Sequence, residues 1–292
     1  LRESKIRLLW CFSALILSGS CATVPLEQTG SLSSYDGLAR NDGLLTKAHI
    51  RVNKSEILAA KTVRILPTSL SARASSAGLS QAQQSMLANA VDRLMCIGLA
   101  ERFHVVPAEE PAEPRIHAVI TFVALTDETM AGASRAVSLG ASIAEKVLLP
   151  VPVPVPVPRL PIGLGGLSVE AEAVDKSGRQ IAAIVWARGA DALTSKPKIS
   201  AAADAYDLAK SFAGDFSQLM VTGSNPFKTL PPLPSWQSIG ALLGGAPKEA
   251  ACERFGRGPG LPGLIGDSIG LPPEWTDKGA PANMQASDNS KP

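Results

Sequence analysis

From residue 61 onward the chain switches repeatedly between strand-like alternation and helical spacing of its apolar residues. Thr62–Leu66 sets Val63 and Ile65 on one face, which predicts a strand. Ser80 and Gln83 form a capping box. Behind it Leu87, Ala90, Val91 and Leu94 fall on one stripe, predicting a helix that ends near Gly98 to Arg102. Phe103–Val106 returns to strand. Along Arg115–Leu125, Ile116, Ala118, Ile120, Phe122 and Ala124 alternate with His117, Val119, Thr121 and Val123, giving a strand that is apolar on both faces. Ser168–Asp175 and Arg179–Arg188 predict a hairpin closed by Lys176, Ser177 and Gly178, with the glycine supplying the left-handed turn position. Ala201–Val221 then puts Ala205, Leu208, Phe212, Phe216 and Leu219 on one helical stripe. The order β-α-β-β-insert-β-β-α predicts an α+β domain over residues 61–222, a mostly antiparallel sheet with helices packed on one face.

Two stretches break this pattern. The insert at 130–167 begins as a helix of Ala, Gly and Ser over Ala133–Leu149, with Gly132, Ala136, Gly140 and Ala144 at every fourth position. Such a row lets another backbone come close. It reads either as a docking surface or, more simply, as a helix packed on its own sheet. Arg135, Glu145 and Lys146 argue against a membrane span. The strict Val-Pro alternation from Val151 to Pro158 must be extended polyproline II. From Gly223 onward, 22 of 70 residues are Gly or Pro, so residues 223–292 are expected to be a low-complexity, largely irregular tail. Ser235–Leu243 is the exception, a short helix around Trp236. Trp236 and Trp275 are expected to dock, first on the domain and otherwise on a partner.

Upstream of the domain, residues 1–20 have the parts of an export signal. Arg2, Lys5 and Arg7 precede the apolar run Leu8–Leu17, and Ser18, Gly19 and Ser20 lead into Cys21. The apolar run is too short for a stable span, which needs about 20 residues. A cysteine directly after small residues resembles the lipobox of bacterial lipoproteins, although Ser18 stands where a large aliphatic residue is usual. That resemblance implies acylation of Cys21 and, with Ala22 following rather than Asp, the outer membrane. Residues 21–60 are accordingly expected to be the lipidated cysteine and a tether. Cleavage by the general signal peptidase is the alternative. Cys96 and Cys252 remain as an even pair. An oxidising periplasm allows them to bond; otherwise Cys96 is a buried apolar residue of its helix and Cys252 a loose thiol.

Several of these segments together resemble a known family. Gly30–Leu38 (GSLSSYDGL) is followed by the strand KTVRILP at Lys61–Pro67 and later by Val169–Asp175 (VEAEAVD) with Gly178 and Ala182. The arrangement is similar to a family of uncharacterised bacterial envelope lipoproteins known only as a domain of unknown function. The resemblance spans about Gly30 to Val221 and implies a compartment and a class, with no catalytic residues.

Composition and charge narrow the function further. With 45% hydrophobic and 18% charged residues the chain is neither disordered nor a multi-span membrane protein. Its formal charge of +2 disappears once the N-terminal segment is set aside, leaving no basic surface for nucleic acid. The three histidines, His49, His104 and His117, lack helical pair spacing, and Cys96 and Cys252 lack metal-knuckle spacing. No nucleophile elbow is present, and Gly256–Gly260 follows no strand and lacks the lysine of a phosphate loop. No catalytic, metal or cofactor site is therefore expected, nor any small-molecule ligand.

The reading is a periplasm-facing lipoprotein, not an enzyme, held to the membrane through its lipid. It acts by docking an envelope protein or a second copy of itself through Gly132, Ala136, Gly140 and Ala144 or through Trp236 and Trp275. Two rivals stand beside it. One is a soluble periplasmic hydrolase built on His104 or His117 with a Ser and an Asp. The other is an oligomer-forming element that inserts into the membrane.

Overall fold

The computed structural model describes residues 23–107, 109–136 and 159–280. The strands are β1 (Ala39–Arg40), β2 (Thr46–Val52), β3 (Thr62–Ile65), β4 (Ser69–Leu70), β5 (His104–Val105), β6 (Arg115–Ala124), β7 (Gly166–Val174) and β8 (Gln180–Gly189). They form one sheet of order β1-β2-β8-β7-β6-β3-β5, with β4 also paired to β6. The pairs from β1 through β6 along this path are antiparallel, whereas β3 and β4 join β6 in parallel and β5 joins β3 in parallel. The helices are α1 (Lys54–Ala59), α2 (Ala72–Ser75), α3 (Gln81–Leu99), α4 (Ala203–Thr222), α5 (Trp236–Leu242) and α6 (Gly260–Ile269). The architecture is α+β with a mostly antiparallel sheet.

The long helices form where their apolar stripes require. In α3 the Ser80–Gln83 capping box is made in both directions, and Leu87, Ala90 and Val91 are fully buried. In α4 Ala205, Leu208, Phe212, Phe216 and Leu219 face the sheet. There Phe212 stacks on Phe216 and meets Trp186 of β8 edge-on. The two helices run close together. A Cβ placed on Gly98 would lie 2.5 Å from Ser217 Oγ, so only glycine fits at that crossing. Between β7 and β8, Asp175 accepts bonds from Ser177 N, Ser177 Oγ and Arg179 N, and Gly178 takes φ 79°. These bonds, the Ser177 hydroxyl foremost, lower the Asp175 pKa to about 2.

The sheet is covered on its second face as well, which corrects the expectation of a tether over 21–60. In the described part of that span Thr46–Val52 is a strand paired with β8 along its whole length, and Lys54–Ala59 is a helix with Ile57 fully buried. Ahead of them a strap crosses the outer face. Leu32 packs on Ala183 and Val185, flanked by Leu26, Tyr35 and Leu38. The alternation of Thr46, Ala48, Ile50 and Val52 is legible, but Lys47, His49 and Arg51 dilute it. Its burial depends on β8, which is far away in sequence.

The tail expectation is corrected in the same way. Residues 223–280 fold back over α3 and α4 in two helices and two 3-10 turns, Ala250–Phe255 and Pro273–Trp275. Cys252 is bonded to Cys96 of α3, and Phe255 joins the core. Arg93 and Asp277 form a buried ion pair that also receives the Tyr206 hydroxyl. The glycines serve as tight corners rather than as spacers: Gly256, at φ 73°, would put a Cβ 2.2 Å from the carbonyl oxygen of Gly279.

Candidate functional site

The folded-back C-terminal segment does not lie flat on the helices. Between it and α3 and α4 a half-enclosed groove of about 750 Å³ remains, within the size range of ligand pockets. Leu94 and Ile97 of α3, Ala213 and Val221 of α4, and Leu243 and Leu264 of the C-terminal segment supply apolar walls. Each position follows from helical spacing: 94 and 97 lie one turn apart, and 213, 217 and 221 form one row of α4.

Polar groups along the groove differ in how well they are satisfied. Ser217 is buried and its Oγ has no hydrogen-bond partner among the described residues. Lys198 is buried between Asp207 and Asp267; burial works against its charge, but the two carboxylates win and raise its pKa. Asp277 follows the same logic with opposite sign: burial opposes its charge, and Arg93 overrides this to lower its pKa. Asp215 is different. Burial raises its pKa to about 6, opposed by the hydrogen bond from Trp186 Nε1 at 2.8 Å and by the charge of Arg188.

A second concentration of buried polar groups lies on the outer face of the sheet. Glu170 and Glu172 of β7 point away from the helices and are buried. Glu170 accepts from Thr29 N, Ser31 N and the Tyr35 hydroxyl, and Glu172 from Ser33 N, Ser33 Oγ and Gln180 Nε2. The two most distinctive sequence segments, Gly30–Leu38 and Val169–Asp175, are therefore the two halves of one contact. Both carboxylates are taken up by donors of the strap and of Gln180, whose own Oε1 has no hydrogen-bond partner among the described residues, so the two glutamates make a clasp rather than a ligand site.

A family model described as a protein of unknown function, DUF3313, matches residues 27–216. The chain belongs to that family. The DUF3313 match begins at the clasp and ends within α4, so the groove is walled on one side by the family domain and on the other by chain beyond it. None of the curated proteins compared matches the chain. Among solved structures, a PelC dodecamer from Paraburkholderia phytofirmans is similar at 10% identity with a TM-score of 0.32, covering 66% of this chain and 99% of that one. A single-residue variant of that protein, also a dodecamer, has the same identity and coverage with a TM-score of 0.30.

The residues singled out from sequence fall in separate places. Cys21, Gly140, Ala144 and the run Val151–Pro158 lie outside the described residues. Residues 128–136 are helical, Gly132 is half-buried with nothing within 4 Å of an added Cβ, and Ala136 is exposed. Among the described residues, no close backbone approach is therefore seen at Gly132. Trp236 and Trp275 are 88% and 73% exposed, so neither ring docks on the domain. The histidines stand apart: His104 is exposed and bonded to Glu249 at 2.7 Å, His117 lies opposite Glu172 on β6, and His49 lies on β2. Among the described residues no group of three His, Cys, Asp or Glu side chains is placed to hold a metal ion. None of their helices is long and apolar enough to cross a membrane. The groove itself left no mark in the sequence beyond the apolar residues scattered among the glycines and prolines of 230–271.

Proposed function

We propose that this DUF3313 protein is a binding module of the bacterial cell envelope, lipid-anchored through Cys21 at the outer membrane, facing the periplasm, and without catalytic activity. Its task is to dock an apolar segment of another envelope protein. The observation that carries this is the groove between α3, α4 and the folded-back C-terminal segment, apolar along its walls. A groove between helices suits an inserted side-chain row from a partner helix or extended strand, where apolar anchors give affinity.

A photo-crosslinking residue at Gly214, an exposed groove position with open space around it, tests the reading in cells. An adduct to one envelope protein is expected, and Leu243→Arg, at a 45% exposed wall position, should abolish it by blocking the groove. Adducts that persist with the groove filled would overturn the docking role. Intact mass of the protein from native membranes tests the anchor separately: a chain starting at Cys21 plus acyl chains supports it, and an unmodified chain removes it.

A further inference from the structure

Helix α6 is turned the wrong way round for a surface helix. Its exposed residues are Leu261, Pro262, Leu264, Ile265, Ser268 and Ile269, while its single charge, Asp267, points inward to Lys196 and Lys198. Leu261, Leu264, Ile265 and Ile269 are 67%, 52%, 62% and 52% exposed. An exposed face with four large aliphatic residues and no charge is uncommon on a surface that meets only water. The neighbouring turn adds an exposed indole, Trp275, a residue type that favours the membrane interface.

Position decides what covers this face. The C-terminal end of α6 joins the domain where Gly270 accepts from Ile199 N and where Arg135 reaches Ser268 O. That corner leads directly to the start of α4, where Asp204 accepts from Gly165 N. Gly165 in turn accepts from Ala190 N, at the end of the sheet where β7 begins and β8 ends. Val24 packs on that same end, so closely that a Cβ on Gly166 would lie 2.2 Å from it. Only residues 22 and 23 separate Val24 from Cys21. A chain spans at most about 3.6 Å per residue, so Cys21 stays within roughly 11 Å of Val24. An anchor at Cys21 thus holds a bilayer against the end of the domain that carries α6.

We infer that the outer face of α6 is a membrane-seating surface, with Leu261, Ile265 and Ile269 resting in the headgroup and acyl boundary of the leaflet that holds the anchor, and Leu264 at the rim it shares with the groove. The inference rests on the proposed anchoring at Cys21 and adds to it a fixed orientation. The domain does not swing on its tether: it sits with α6 down and the hairpin turn Lys176–Gly178 at the far end of the sheet, pointing away from the lipid. An uncharged aliphatic helix face lying in the interface plane is the arrangement in which such helices bind bilayers.

Depth-dependent quenching tests this. The chain beginning at Cys21 is coupled through the Cys21 thiol to a maleimide lipid; the Cys96–Cys252 bond leaves that thiol as the one available for coupling. The vesicles are phosphatidylethanolamine and phosphatidylglycerol with brominated acyl chains. Trp236→Phe and Trp275→Phe remove the exposed indoles, leaving the buried Trp186 as a constant background. An indole is then introduced by Ile265→Trp or, as control, by Lys176→Trp. The expected result is loss of emission for the Ile265→Trp protein and none for the control. Equal quenching at both sites, or none at either, overturns the inference. Protection at 265 together with a doubled particle mass in solution would assign the face to a second copy and also overturn it. Because coupling replaces native acylation, these outcomes are independent of the intact-mass result that tests the anchor.

Discussion

Tyr35 donates its hydroxyl to Glu170 at 2.5 Å across 135 residues of chain, fastening the N-terminal strap to the outer face of the sheet. Burial, first of all, and the bond to the carboxylate raise the tyrosine pKa, so the phenol remains a donor throughout the physiological range. The carboxylate would otherwise be a buried charge on β7, because Glu170 is fully covered. It accepts two backbone N–H groups of the strap as well, so sheet and strap satisfy each other.

Tyr35→Phe removes one of these three donors and should lower stability by about 1–3 kcal/mol, the cost of a lost bond to a buried charged group. Glu170→Ala, which leaves all three donors without their acceptor, should cost more. Urea titrations of both variants check the order, and a Glu170→Ala protein as stable as Tyr35→Phe would show that the strap finds other partners.

The disulfide closes a separation of 156 residues and joins the C-terminal segment to α3. In the chain-entropy account, closing a loop of that length stabilises by up to about 5 kcal/mol. Replacing Cys96 and Cys252 by Ser should therefore lower the melting temperature sharply, with reductant having the same effect on the wild-type chain. Limited proteolysis should then cut first within 223–280, since that segment loses its covalent hold.

Gly98→Ala brings a methyl group to 2.5 Å from Ser217 Oγ and 2.7 Å from its Cβ, where α3 and α4 cross. Overpacking at such a contact costs about 1–3 kcal/mol. The second change Ser217→Gly should restore most of the loss, giving a large coupling energy in a double-mutant cycle. Additive losses would show that the helices part elsewhere.

Asp215 supplies a pH dependence. Its folded pKa, raised by burial to about 6, stands above the ordinary 3.8, so the folded state holds a proton that the unfolded state has already released. From this group alone, stability is greatest below the unfolded value and falls as pH rises from about 4 to 6. Above pH 6 the buried charge costs on the order of 1–2 kcal/mol, since solvent still reaches the half-buried carboxylate. Asp215→Asn keeps an acceptor for Trp186 and should stabilise the protein at pH 7 while flattening the slope between pH 4 and 6. Thermal melts across that range read both effects.

Elements whose signal is local are legible in the chain without any structure. Thr62–Ile65, the capped helix behind Ser80, Arg115–Ala124, the hairpin around Gly178 and the long helix of α4 each carry enough apolar period within their own length to be read directly. A mostly antiparallel α+β sheet followed from them, and so did the pairing of the distinctive segments with a family of unknown function. Tertiary structure alone decided the parts whose stability comes from distant partners. Thr46–Val52 is a strand because β8 completes its hydrogen bonds, and the strap is ordered because Glu170 and Glu172 receive its amides. The Gly- and Pro-rich segment folds because Cys96, Arg93 and α3 hold it. In each case the local pattern is weak, and the energy that fixes the backbone comes from contacts more than a hundred residues away in sequence. The groove and the outward face of α6 exist only once that segment has folded back, so no stretch of sequence could display them.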